Sequence, residues 1–381
     1  MRTEVFLTRT ASYLPFAPVG NEEIEDVLGR IGGKASRARR LVLRSNGITS
    51  RHYAIDRATG EPALTNAQLT AAAIRALGDI GKVDCLATGT SLPDQLMPNH
   101  AVMVHGELGW PRLEVVACAG ICLAGTAALK HAWLTLRAGE GRRAVATGSE
   151  LASPILLARN FEAECEHRIA ALEAHPEIAF EKDFLRWMLS DGAGAVLLET
   201  LPRAPLSLRI DWIELSSAAH ELPACMYAGA QKNADGTLRG WLSFSPEEWA
   251  TQSIFAVKQD VRLLNDTVRS ATFGEPLAEL VQKRGLRADD IDWFLPHLSS
   301  QFFVEPTIDG LNKAGLPIPR ERWFSNLATK GNTGSAAPFI MLDELFRSGR
   351  IEPGHKLLMF IPESGRFSSG FVFMEAVKGA D

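Results

Sequence analysis

The chain has 381 residues, 46% of them hydrophobic and 22% charged, with a formal net charge of −5, values of an ordinary globular protein. The mild negative charge argues against a general nucleic-acid binder, and five cysteines at irregular spacings argue against a disulfide framework and for reduced thiols in the cytoplasm. No apolar run reaches the length of a membrane span, and the length suits two domains or one fold built from two similar halves.

Glu4 to Thr10 alternates and reads as a strand, and the charged segment around it does not read as a secretory leader. Asn21 is placed to cap a helix with Glu22, Glu23 and Glu25 in its first turn. Lys34 to Arg51 is a basic window holding Lys34, Arg37, Arg39, Arg40, Arg44 and Arg51 and no carboxylate. It reads equally as a solvated face or as a docking site for a phosphate-bearing cofactor arm or an acidic carrier protein. Thr65 to Leu77 is a helix, Val83 to Thr88 a buried strand, and Asn99 to Leu108 a second helix.

Leu113 to Leu136 is the stretch that organises the chain. It reads as a short strand (Leu113 to Val116), a turn, and a long helix rich in Ala and Gly, with Cys118 at or just before the helix start. There the unpaired helical N–H groups would favour a thiolate, so Cys118 is a candidate nucleophile of lowered pKa; the alternative is a small core hydrophobe. Cys122, one turn deeper, reads as core packing. A metal site at the two cysteines lacks a matching Cys or His pair elsewhere, so no metal is expected.

Arg143 to Ser149 is another buried strand. Phe161 to Lys182 reads as a polar insertion with Cys165, His167 and His175 at the surface. Ser190 to Glu199 is a glycine turn into a strand, without the strand-before, helix-after context of a phosphate loop. Pro202 and Pro205 mark a seam, and the pattern restarts: strand Leu208 to Leu215, a long helix across Pro246 to Phe273, a helix near Leu277 to Arg284, strand Asp292 to Leu295, helix Phe303 to Ala314. Strand Arg322 to Ser325, helix Ala336 to Arg347, and strands Lys356 to Ile361 and Gly370 to Ala376 complete it. Both parts end on a glycine turn and a hairpin-like strand, which predicts an internal duplication into residues 1–205 and 206–381.

His297 follows directly on a buried strand, in WFLPHLSS, where α/β folds line their ligand crevices. Asn332 lies in KGNTGSAAP, between Gly331 and Gly334. Each alone reads as an ordinary structural residue. Together with a cysteine at a helix start they form a Cys–His–Asn constellation for acyl transfer.

These residues resemble the thiolase superfamily, specifically the β-ketoacyl-ACP synthase III-like condensing enzymes, over nearly the whole chain. VVACAGICLAG resembles the nucleophile motif and implies the acyl-accepting role for Cys118; WFLPHLSS and KGNTGSAAP resemble the His and Asn motifs and imply His297 and Asn332. LSDGAGAVLLE resembles the turn that closes the first half. RSNGITSR resembles the stretch at the pantetheine entrance and implies Arg44, with Arg40, near the cofactor phosphates. The N-terminal run and FLRWMLSDGAGA are similar to the dialkylresorcinol and cyclohexanedione-forming ketosynthases of the DarB/StlD type. The chain departs from ordinary type III synthases after His297 (Leu-Ser-Ser), at Arg40, and at Ser364-Gly365-Arg366 in the last glycine loop.

The resemblance implies an α/β thiolase fold, two stacked similar halves in a five-layer αβαβα arrangement. It implies an oxyanion hole from the backbone of Cys118 and Gly365, and Met97 at an acyl pocket or dimer contact in a homodimer. It implies no permanently bound cofactor; acyl-CoA or the phosphopantetheine of acyl carrier protein would bring the substrates. The reaction implied joins a β-ketoacyl and an α,β-unsaturated acyl thioester to a cyclohexanedione. The alternatives are a chain-initiating synthase using malonyl-ACP, an acyltransferase that forms no carbon–carbon bond, and a non-catalytic partner subunit.

Overall fold

A computed structural model describes residues 3–36, 39–162 and 185–379. Arg37 and the segment with Cys165, His167 and His175 lie outside the described residues. Nine strands form the main sheet: β1 (Phe6–Tyr13), β2 (Cys85–Thr90), β3 (Glu114–Ala119), β4 (Arg143–Glu150), β5 (Gly192–Glu199), β6 (Leu206–Ser217), β7 (Trp293–Pro296), β8 (Lys356–Glu363) and β9 (Ser368–Lys378). Their order is β7-β8-β9-β6-β1-β5-β4-β2-β3. The pairs β7–β8, β4–β2 and β2–β3 are parallel and the rest antiparallel. Two residue pairs, Phe6–Arg209 and Leu7–Leu208, join the two wings at the β1–β6 seam.

Helix α1 (Arg39–Asn46) packs beside the sheet with Tyr53, Leu156 and Trp187, while α2 (Asn66–Arg75), α3 (His100–Leu108), α4 (Ala124–Ala138), α5 (Val261–Ala271), α6 (Val304–Lys313) and α7 (Ala337–Arg347) cover it. Period-two alternation decides who meets whom. Leu86, Val145, Ala195 and Leu197 face outward to α2 and α3. Their neighbours Cys85, Ala87, Ala144, Ala146, Val196 and Leu198 face inward, in one core with Leu129, Leu136, Phe339, Leu342 and, from the other wing, Leu357, Met359 and Met374. So α4 and α7 form a middle layer between two sheet wings. On the far side Phe294, Leu358, Phe360 and Phe371 meet α5 and α6. The layers run α, β, α, β, α.

The middle layer sits at backbone distance from the strands. A Cβ on Gly89 of β2 would lie 2.2 Å from the Ala124 carbonyl, and one on Gly148 of β4 would lie 2.1 Å from Ser335 O. Only glycine allows that approach.

Local chemistry explains the boundaries that matched expectation. Thr65 and Gln68 close a capping box on α2, and Asn99 caps α3. Asn21 does not cap the helix Ile24–Leu28, since its side chain donates to Ile48 O and accepts from Arg51, and three further expectations need correction. First, β3 runs on through Cys118 to Ala119, because β2 keeps pairing with it (Gly89–Cys118, Thr90–Ala119); the helix starts only at Ala124. Second, the helix expected across Pro246 to Phe273 breaks into Pro246–Thr251 and α5, because Lys258 and Gln259 pair with Tyr227 and Met226 as a short ribbon. Third, the strand expected at Arg322 to Ser325 is a single parallel bridge, Phe294–Trp323. No described helix is long and apolar enough to cross a membrane.

Candidate active site

The turn between β3 and α4, Gly120 to Leu123, comes from the first wing and the residues after β7 and β8 from the second. Between them lies a cavity of about 360 Å³. Cys122, Glu150, His297, Asn332 and Glu363 line it. Its walls are largely apolar, with Leu264 and Val268 of α5, Phe273, Phe303, Met226 and Val257. The break in the expected long helix is what delivers Val257 and Gln259 to this wall.

His297 is buried, and its backbone N–H donates to Phe360 O at 2.8 Å, which extends the β7–β8 ladder by one step. Burial pulls its imidazole down to about 4, so the ring is neutral near neutral pH. Among the described residues its Nε2 has no hydrogen-bond partner. A buried polar atom without a partner is costly unless something transient satisfies it.

Asn332 is held from both sides. Its N–H donates to Met188 O and its carbonyl accepts from Ser190 N, both at 2.9 Å. Its side-chain Oδ1 accepts from Gly334 N at 3.0 Å, which fixes the amide and leaves the NH₂ as the end available to the cavity. Glu150, the last residue of β4, is buried, and burial pushes its carboxyl up to about 7. Ser91 N, Ser91 Oγ and Ser335 N oppose that rise, and all three donate to one oxygen, Oε1.

Cys122 is buried at the turn that opens α4. Burial, then the nearby Glu363 and Glu150 charges, hold its thiol well above the ordinary range. Glu363 Oε2 accepts from Ile121 N at 3.0 Å and Leu123 N at 2.9 Å, the residues flanking the cysteine.

Cys118 lies elsewhere. It sits half-buried in β3, the last strand of the sheet, and is not among the cavity residues. Burial raises its thiol, so the expected lowering at a helix start does not occur there. The helix-start position belongs to Cys122. Another grouping, Cys85 with Glu114 and His131, brings three ligand atoms within 4.8 Å of one another. Burial pushes the Cys85 thiol up to about 12, which disfavours the thiolate a metal needs.

Residues 281–372 match the family model described as 3-oxoacyl-[acyl-carrier-protein (ACP)] synthase III C terminal, a stretch that contains His297, Asn332 and Gly365. A β-ketoacyl-[acyl-carrier-protein] synthase III of Rhodospirillum rubrum is 27% identical over 360 residues, covering 91% of this chain and 92% of the relative. Among solved structures, AbyA1, a tetronic acid condensing enzyme, superposes with a TM-score of 0.74 at 22% identity, covering 97% of this chain and 99% of that one. The 3-oxoacyl-(acyl carrier protein) synthase III FabH of Pseudomonas aeruginosa PAO1 gives 0.71 at 19% identity, covering 99% and 100%.

The segment 281–372 thus matches a synthase III family model, and the whole chain shares the fold of the synthase III structures.

The other sequence candidates divide. Gly365 lies in the β8–β9 turn against the Gly120–Leu123 turn; a Cβ there would come 2.8 Å from Ile121 Cδ1. Arg40 and Arg44 are exposed on α1, four residues apart, and line no part of the cavity. Met97 is 85% exposed in the loop before α3 and is also outside the cavity. Cys122, expected as core packing, lines the cavity, as do Glu150 and Glu363, which the sequence did not single out. The signal for the two acids was available: each is the last residue of a core strand, as Pro296 is before His297.

Proposed function

We propose that the protein is a condensing enzyme that joins two acyl thioesters by a carbon–carbon bond through an acyl-Cys122 intermediate. The observation that carries this reading is one largely apolar cavity onto which Cys122, His297, Asn332 and Glu150 all converge. This moves the acyl-accepting role from Cys118 to Cys122, the cysteine that shares the cavity with His297 and Asn332.

The Cys122 sulfur attacks the carbonyl carbon of the first thioester. A carbon–sulfur bond forms, the pantetheine thiol departs, and the proton lost from Cys122 ends on it. The N–H groups of Cys122 and Gly365 serve the oxyanion of that step. The second thioester then gives its α-proton to Glu150. The enolate oxygen takes hydrogen bonds from the neutral His297 Nε2–H and the Asn332 NH₂, the two donors without other work. The carbanion attacks acyl-Cys122, the carbon–carbon bond forms, and the sulfur leaves and recovers the proton from Glu150.

The finer reading is that the partners are a β-ketoacyl and an α,β-unsaturated acyl thioester, closed to a 1,3-cyclohexanedione-type precursor of dialkylresorcinols. It is supported by the N-terminal likeness to the DarB/StlD type and by the charge of the cavity. Its described lining has Glu150 and Glu363 and no lysine or arginine, an environment that repels the free carboxylate of a malonyl group. A chain-initiating synthase that condenses acyl-CoA with malonyl-ACP is the second reading, favoured by the curated relative's own name. Carrier protein or CoA would deliver either set of substrates in the cytoplasm, with Arg40 and Arg44 as the phosphate-facing cations. A homodimer is proposed across the outer edge of β3, the sheet's free edge, near the exposed Met97.

The test is intact-protein mass after mixing with acyl, β-ketoacyl and 2-enoyl thioesters on CoA and on carrier protein, using wild type, Cys122→Ala and Cys118→Ala. An adduct lost only in Cys122→Ala, with a cyclic dione from the β-ketoacyl plus enoyl pair, is the expected result. A linear β-keto product formed only with malonyl-ACP selects the second reading. An adduct lost only in Cys118→Ala overturns the site.

A further inference from the structure

Glu363 is out of place in an apolar acyl pocket. It ends β8, pairs with Ser368 of β9, and lines both the main cavity and a smaller pocket formed with Ala127, Leu215 and Ser217. Its Oε2 takes the N–H groups of Ile121 and Leu123 and leaves that of Cys122, between them, for other use. Leu123 is the N-cap of α4, where the helix leaves its N–H groups unsatisfied, and Ile121 lies in the turn just before it. A Cβ on Gly120 would lie 3.7 Å from the same oxygen, so the carboxylate lies close against the turn's backbone.

We propose that Glu363 is a positioning residue for Cys122: its carboxylate straps the turn Gly120–Leu123 to the end of β8 and places a negative charge beside the sulfur. The proposal rests on Cys122 as the acyl-accepting residue. The strap fixes the Cys122 N–H relative to the β8–β9 turn that carries Gly365, the two ends of the proposed oxyanion hole. The charge works against the helix start. Exposed helical N–H groups favour a thiolate; a carboxylate bound across two of them cancels that attraction. The resting sulfur therefore stays a thiol, protected from oxidation and stray alkylation. It loses its proton only as an acyl thioester is attacked. The other titratable groups sharing the cavity are Glu150, His297 and Tyr227; Glu150 adds to the negative charge, and His297 is neutral.

The experiment is the pH profile of iodoacetamide alkylation at Cys122, read by mass spectrometry, with steady-state condensation kinetics, for wild type, Glu363→Gln and Glu363→Ala. Glutamine keeps an acceptor for the turn and removes the charge; alanine removes both. The alkylation midpoint should fall by roughly one pH unit in both variants, making the reaction about tenfold faster at pH 7. Only Glu363→Ala should also lose about 10²-fold in kcat, with a smaller change in KM for the acyl donor. A Glu363→Gln profile that overlays wild type overturns the charge role, and an alanine variant with wild-type kcat overturns the strap. Acyl transfer that survives in Cys122→Ala would instead defeat the nucleophile assignment beneath it.

Discussion

Cys118 and Cys122 stand four residues apart in one motif, yet one closes an outer strand and the other opens a buried helix. Cys118 sits on the sheet's end strand, half-buried and packed on the inner core. Cys122 sits where the two wings meet, beside His297 and Asn332. The residue types are the same, and both lie among small and apolar neighbours. What separates them is where β2 stops pairing with β3, a long-range property. The groups that meet Cys122 at the cavity include residues more than 170 positions away, as His297 and Asn332 are.

The contrast breaks most sharply under direct replacement. Cys122→Ala should abolish the acyl adduct and lower condensation by at least about 10³-fold, while Cys118→Ala stays within about threefold of wild type. Intact mass and product assays on both variants check this. Next in size, His297→Ala and Asn332→Ala should each cost about 10²-fold or more in condensation, because each removes a donor to the enolate. Acylation of Cys122 should persist in both, so the adduct accumulates. Glu150→Gln should cost about 10²-fold. In wild type the condensation rate should rise with pH through about 7, as the buried carboxyl becomes the base; in the variant that inflection should vanish.

The smallest effect is on stability. Burial holds His297 and His100 at about 4, so between pH 4 and 6.5 the unfolded chain binds protons that the native state refuses. Each therefore makes stability rise with pH across that window, by about 1.4 kcal/mol per unit at most. Glu150 acts oppositely: native Glu150 keeps its proton up to about 7, whereas an unfolded glutamate loses it near 4.5. Its slope subtracts from theirs between pH 4.5 and 6.5. Glu150→Gln should therefore show a steeper climb of Tm with pH in that range than wild type, by differential scanning calorimetry.

The strand cores were legible because they are nearly unbroken apolar or small-residue runs, such as Cys85 to Thr90 and Gly192 to Glu199. His297 and Asn332 were legible because a core strand and a pair of glycines announce each one. That Cys122 and not Cys118 shares the cavity with them was not. Local sequence puts the helix start near Cys118, and only the partner residues Gly89 and Thr90 carry the strand further. The broken helix after Pro246 failed for the same reason, since Lys258 and Gln259 answer to Met226 and Tyr227. The raised carboxyl of Glu150 depends on burial that no window around it reveals.

The glycines under the middle layer have a wider consequence. With Gly89 against the Ala124 main chain and Gly148 against Ser335 O, the first turn of α4 and the segment after Asn332 rest closely on strand backbone. Main chain cannot be retuned by substitution. The cavity wall can, because Leu264, Val268, Phe273 and Phe303 hang from separate helices and loops. The molecule therefore divides its labour: a chassis that tolerates almost no added atom, and an upholstery free to be recut for another acyl chain.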